Sequence, residues 1–164
     1  MICGRTLGTA LMALIFGLSA GKAHAQSEVH INLSGKSGEA HRMALAMPAF
    51  VAEDVRRGED VLTARQVQAV IREDLLMSRH FNVLEDGPHF DGSNSRDIAS
   101  GWKMLGAGWL LTAKAGSGPK ISVSVSLLDL GSGQTIFERY YRQDAAFLRS
   151  AGHRIADDLV LALT

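Results

Sequence analysis

Near the carboxyl end, a histidine and two acids sit together in RSAGHRIADDLVLALT, residues 149–164. An imidazole within reach of a carboxylate can move a proton or, with further ligands, hold a metal. On a helix, His153 and Asp157 lie four residues apart on one face, close enough for an imidazole–carboxylate hydrogen bond. Asp157 and Asp158 are adjacent, do not face each other and so form no acid–base dyad. No third partner lies nearby in sequence. Ile155, Leu159 and Leu163 make an apolar ridge on the opposite side. The stretch reads as a packing helix in which His153 fixes local geometry.

Other residues that could do chemistry are equally scattered. His30, His41, His80 and His89 fall in no HExxH pattern and form no i, i+4 pair on a helix. His80 and His89 bracket a strand and a loop, so a spatial pairing of the two stays open. The doublets Glu53-Asp54, Glu59-Asp60, Glu73-Asp74 and Glu85-Asp86 repeat the pattern of Asp157-Asp158. They read as solvated charged faces. GSGP and GSGQ resemble phosphate loops in composition only. Such a loop must follow a strand and open a helix, and here both glycine stretches join strand to strand, where glycine supplies turn geometry. No G-x-S-x-G elbow is present. The reading is a non-enzyme without metal or cofactor. The rival is a small ligand-binding or hydrolytic domain using the His80–Asp91 region and His153.

The elements that would carry these residues follow from periodicity. EVHINLS (28–34) alternates, with Val29, Ile31 and Leu33 on one side, as a half-buried strand does. GKSGE links it to HRMALAMPAF (41–50), a more buried strand ended by Pro48. Thr63 is the expected N-cap of an amphipathic helix, ARQVQAVIREDLLMS, with Val67, Val70, Ile71 and Leu75 at helical spacing. HFNVLE (80–85) is a short strand and DGPHFDGSN a loop. Asn94 or Ser95 is the expected cap of a second helix, SRDIASGWKMLG, stopped by Gly106 and Gly108. GWLLTAKA, KISVSVSLLDL and TIFERYYRQ follow as three strands joined by the glycine turns. The final helix is expected from about Asp144, with Phe147, Leu148, Ala151, Ile155, Leu159 and Leu163 on its apolar face. This order predicts an α/β layered domain with a mixed sheet.

At the other end, MICGRTLGTALMALIFGLSAGKAHA carries Arg5, an apolar run from Leu7 to about Ala20, and Ala23-His24-Ala25. That is the pattern of a cleaved secretory signal over residues 1–25, with an apolar run shorter than a membrane span needs. Its removal takes Arg5 and Lys22 from 17 basic residues and nothing from 17 acidic ones, leaving a net charge of −2. A weakly acidic surface argues against nucleic acid as partner. Cys3 is the only cysteine, so the expected mature chain has no thiol for a disulfide or a metal site. The periplasm is the expected address. No membrane span is expected after cleavage.

Six stretches, in order, resemble the amino-terminal domain of the TolB family, periplasmic components of the Tol–Pal system. EVHINLSGKSGE resembles that family's first strand and glycine linker. MALAMPAFV resembles its IAIPDF strand, with Pro48 and Phe50 in place and Ala49 where an acid is common. VQAVIREDLLMSRHFNVLE resembles VIxxDLxxSGxFxxID, with Arg79 where glycine is usual. GWKMLGAGWLLTAKA and SVSLLDLGSGQTIFERYY resemble the family's W…GAxxLVxG and LxDxxxG segments. RSAGHRIADDLVLALT resembles RxxAHxIADxIxxxLTG, with Gly152 between the alanine and the histidine.

The resemblance implies a fold similar to the anticodon-binding domain, helices packed on a mixed sheet. It divides the chain into residues 1–25, a leader; 26–36, an amino-terminal strand and linker; and 37–164, the α/β domain. It also implies that Glu28, Val29, His30, Ile31, Asn32, Leu33 and Ser34 dock the C-terminal domain of TolA by adding a strand to a sheet edge. The same strand can complete this domain's own sheet, and the family's docked and released forms imply both. In the family a β-propeller follows the helix that ends in LT, and that propeller carries the main surface for Pal. No propeller repeat occurs in this sequence, so Pal binding is not expected of it. A fragment, a truncated product and a free-standing relative remain open.

Overall fold

The computed structural model describes residues 42–164. The chain runs β1 (Met43–Ala46), β2 (Val51–Ala52), α1 (Gly58–Met77), β3 (Phe81–Leu84), α2 (Ala99–Met104), β4 (Trp109–Gly116), β5 (Lys120–Asp129) and β6 (Thr135–Asp144). A single 3-10 turn, Ala145–Phe147, then leads into α3 (Leu148–Leu163). The sheet order is β3-β1-β4-β5-β6, with β2 also paired to β4. β1 is parallel to both β3 and β4, whereas β4, β5 and β6 form an antiparallel meander. β1 and β2 both run parallel to β4, at Leu45–Ala46 and Val51–Ala52. They are one strand row broken around Pro48, which has no N–H to give a ladder.

The alternation of the strands builds two cores on opposite faces of the sheet. Ile121, Val123, Val125 and Leu127 of β5, with Leu111, Ala113 and Ala115 of β4, face α1 and α3. There they meet Val67, Ile71, Leu75, Ile155 and Leu159. On the other face Ala46, Leu110 and Leu128 pack with Phe90, Ile98 and Trp102 from α2 and the loop before it. Trp102 is fully buried, and its indole N–H donates to the Pro88 carbonyl at 3.1 Å. This second core covers only part of its face. Beyond it Ser122, Ser124 and Ser126 of β5 point away from the helices, each partly or fully exposed.

Three helix boundaries differ from the sequence reading. α1 starts at Gly58 with Arg57 as its N-cap, six residues before the expected cap, and Thr63 is a buried interior residue. Glu59 and Asp60 fill its first turn, where negative charge is favourable against the helix dipole. α2 is only Ala99–Met104. Asn94 does not cap it, because its side chain accepts from the Asp91 N–H at 3.0 Å and donates to the His89 carbonyl at 3.1 Å. Its own carbonyl starts a separate turn, accepting from the Asp97 and Ile98 N–H groups. α3 starts at Leu148 after the 3-10 turn, which leaves Phe147 exposed rather than on the core face.

Candidate functional site

His153 does not bond Asp157. Its Nδ1 lies 2.5 Å from Oδ2 of Asp74 on α1, while Asp157 is exposed. The two helices meet closely there. Gly152 is buried, and a Cβ on it would fall 2.6 Å from Cγ1 and 2.8 Å from Cβ of Val70. The small residue lets α3 approach α1, and the adjacent His153 spans the same seam from its solvent side.

Asp158, the other acid of that doublet, reaches from α3 to β6. It accepts from the Tyr141 hydroxyl at 2.7 Å and from Nη1 of Arg139 at 2.9 Å. Those two partners, the Tyr141 hydroxyl foremost, hold its carboxyl below the usual carboxylate range. Burial, reinforced by the Asp158 carboxylate, pushes Tyr141 up to about 12. Arg139 also lies over the Phe137 ring, 5.1 Å from its centroid.

Asp60 is the third centre. Its side chain is almost wholly buried and accepts from the Ser117 hydroxyl, from the Ser117 N–H at 2.8 Å and from the Asp54 N–H at 3.1 Å. One carboxylate therefore ties the start of α1 to the β2–α1 loop and the β4–β5 turn. The Ser117 bonds are the main reason that its carboxyl lies below the ordinary range. Next to it Glu53 accepts from the Ser122 hydroxyl at 2.7 Å, and Arg72 of α1 pairs with Glu85 at 2.7 Å.

The five acid doublets thus share a plan that the solvated-face reading missed. In each, one carboxylate crosses to another element: Glu53, Asp60, Asp74, Glu85 and Asp158. The neighbours Asp54, Glu59, Glu73, Asp86 and Asp157 are exposed, and so are the cross-linking Glu53 and Glu85. The only sequence signal for it is the doublet itself, because the partners are distant in the chain.

Of the remaining histidines, His30 and His41 lie outside the described residues, and His80 and His89 give no centre. His80 is exposed and edge-on to Phe81, and His89 is exposed in the loop before α2. Among the described residues no group of three His, Cys, Asp or Glu is placed to hold a metal, and no helix is long and apolar enough to cross a membrane. The glycine turns do join strand to strand. In the β5–β6 hairpin, Asp129 accepts from the Gly131 N–H at 2.7 Å and the Ser132 hydroxyl at 2.9 Å. The segment Glu28–Ser34 lies outside the described residues.

These contacts define a two-core α/β scaffold whose polar centres fasten its elements to one another. The family model described as TolB amino-terminal domain matches residues 30–136. The Tol-Pal system protein TolB of Anaeromyxobacter sp. (strain K) is 30% identical over 167 positions, 98% of this chain and 36% of that protein. Its counterpart in Alkalilimnicola ehrlichii is 31% identical over 150 positions, 90% of this chain and 33% of that protein. A crystal structure of TolB from Acinetobacter baumannii shares the fold at TM-score 0.61 and 19% identity, over 77% of this chain and 29% of that one. The chain belongs to the TolB amino-terminal domain family, and it spans about a third of the length of these curated relatives.

Proposed function

We propose that this chain is a periplasmic protein–protein interaction module of the Tol–Pal type, serving envelope integrity and cell division without catalysis, cofactor or metal. The observation that carries the reading is the family match over residues 30–136, which begins inside the segment Glu28–Ser34. That segment docks the C-terminal domain of TolA. Val29, Ile31 and Leu33 fill pockets, and the main chain adds a strand to the partner's sheet edge. Among the described residues the buried hydrophobic side chains begin at Leu45.

Calorimetric titration of the chain against the TolA C-terminal domain tests this. A chain beginning at Ser37 and the triple variant V29D/I31D/L33D are measured beside it. Binding that disappears in both altered chains, while circular dichroism and melting stay as in the parent, is the expected result. Affinity that survives either change refutes the assignment of the segment, and no binding by the parent chain refutes the TolA partnership.

A further inference from the structure

β6 ends the sheet, and among the described residues its only strand partner is β5. It is ten residues long, TIFERYYRQD, and only Phe137 and Tyr141 of it are buried. A groove of about 520 Å³ is lined by Glu138–Gln143 of β6 and by Ala151, Arg154 and Asp158 of α3, beside the bonds from Asp158 to Tyr141 and Arg139. A long open edge is a template for another strand unless something forbids the pairing.

Of the antiparallel self-pairings that align seven or more β6 residues, the charges on β6 leave one. Glu138, Tyr140 and Arg142 stand opposite Ser126, Ser124 and Ser122 and so share the face away from α1 and α3. Arg139 and Tyr141 stand opposite Val125 and Val123 and point to the helix face. Two copies meeting edge to edge, antiparallel about a two-fold axis normal to the sheet, must keep these faces in phase. The central residue then faces its own copy. With Glu138, Arg139 or Arg142 at the centre, like charges oppose each other directly. With Tyr141 at the centre, Glu138 opposes Asp144. With Tyr140 at the centre, each Glu138 faces the Arg142 of the other copy, Arg139 faces Tyr141, and the two Tyr140 rings stand together.

That register holds two opposite-charge pairs and no like-charge pair, and cross-strand pairs are what set register in a sheet. Arg139 is already neutralised by Asp158 within its own chain, so it brings no unpaired charge to the seam. Tyr140 is 63% exposed and gains an aromatic neighbour. We infer that β6 is a self-recognition edge, through which a second copy of this chain pairs antiparallel with Tyr140 opposite Tyr140. The five-strand row of each copy continues into the other.

Sedimentation velocity on the whole chain over a range of concentrations tests it, with E138R, R142E and the double variant E138R/R142E alongside. The parent chain is expected to show a concentration-dependent dimer. Each single reversal replaces two attractive cross-strand pairs with two repulsive ones, which weakens association by roughly tenfold or more. Mixing the two single variants restores a dimer, and so does the double variant, because both recreate the Glu–Arg pairs. Far-ultraviolet circular dichroism confirms that each variant is folded. A parent chain that stays monomeric up to its solubility limit overturns the inference. So does a dimer indifferent to both single reversals, or a double variant that fails to regain the association.

Discussion

Gly152→Ala sets two effects of opposite sign against each other at the α1–α3 seam. Replacing glycine by alanine inside a helix stabilises by about 1 kcal/mol through backbone propensity. The new Cβ would stand 2.6 Å from Val70 Cγ1 and 2.8 Å from Val70 Cβ, whereas carbons pack at about 3.5–4.0 Å. About 1 Å is missing. Val70 cannot give way by rotation, because a β-branched side chain in a helix has one preferred rotamer and its Cβ is fixed to the backbone. The helices must therefore separate, which also loosens Val67, Ile71, Ile155 and Leu159, all fully or almost fully buried on this side of the sheet. Overpacking of this kind costs about 1–3 kcal/mol, so the net expectation is destabilisation of about 1 kcal/mol. Urea unfolding followed by circular dichroism measures it. In a Val70→Ala background the penalty shrinks but does not vanish, since Cγ1 is gone and the Cβ at 2.8 Å remains. A Gly152→Ala protein more stable than the parent by the full propensity gain would refute the close approach of the helices.

Substitutions at two further positions act on the backbone and on pH. Arg79 follows the C-cap of α1 with φ +61°, the sole non-glycine residue at positive φ among those described. The left-handed conformation costs an ordinary residue about 1–2 kcal/mol, partly offset by the freedom glycine adds to the unfolded chain. Arg79→Gly should raise stability by about 0.5–1 kcal/mol in the same urea assay, and Arg79→Val should lower it. Tyr141, raised to about 12, contributes stability that is complete below its unfolded value near 10 and is lost as pH rises through 12. Asp158, lowered, contributes stability that is present above about pH 4 and is lost as pH falls through its folded value. Tyr141→Phe removes the alkaline loss and, by taking away the first cause of the Asp158 shift, also shortens the acid limb. Stability profiles from pH 2 to 12 that coincide for the parent and Tyr141→Phe would refute both assignments.

The meander β4–β6 was legible because alternation is a local property. β5 could be read residue by residue from KISVSVSLLD, since every second side chain must enter the same core. The start of α1 was not legible for the opposite reason. Its first turn is tied down by Ser117, 57 residues from Asp60, so a search for a local cap settles on Thr63 and misses Gly58. Arg79 lies between these cases. The resemblance marked it as a place where glycine is usual, and only the φ angle supplies the cause: a chain leaving α1 for β3 must turn through the left-handed region there.

The acid doublets carry the same lesson into the polar centres. Consecutive residues cannot point the same way on a helix or a strand. The helical doublets Glu59-Asp60, Glu73-Asp74 and Asp157-Asp158 therefore send one carboxylate outward and bring the other towards a neighbouring element. Asp74 and His153 are 79 residues apart, and Glu53 and Ser122 are 69 apart. A sequence can thus announce that one member of each doublet cross-links without revealing its partner. For His153 this reverses the order of the inference. The carboxylate four residues along its own helix was the visible candidate, but that side chain follows the helix into solvent. Asp74 comes from the helix against which Gly152 presses, so the imidazole reaches across the seam that the glycine has narrowed.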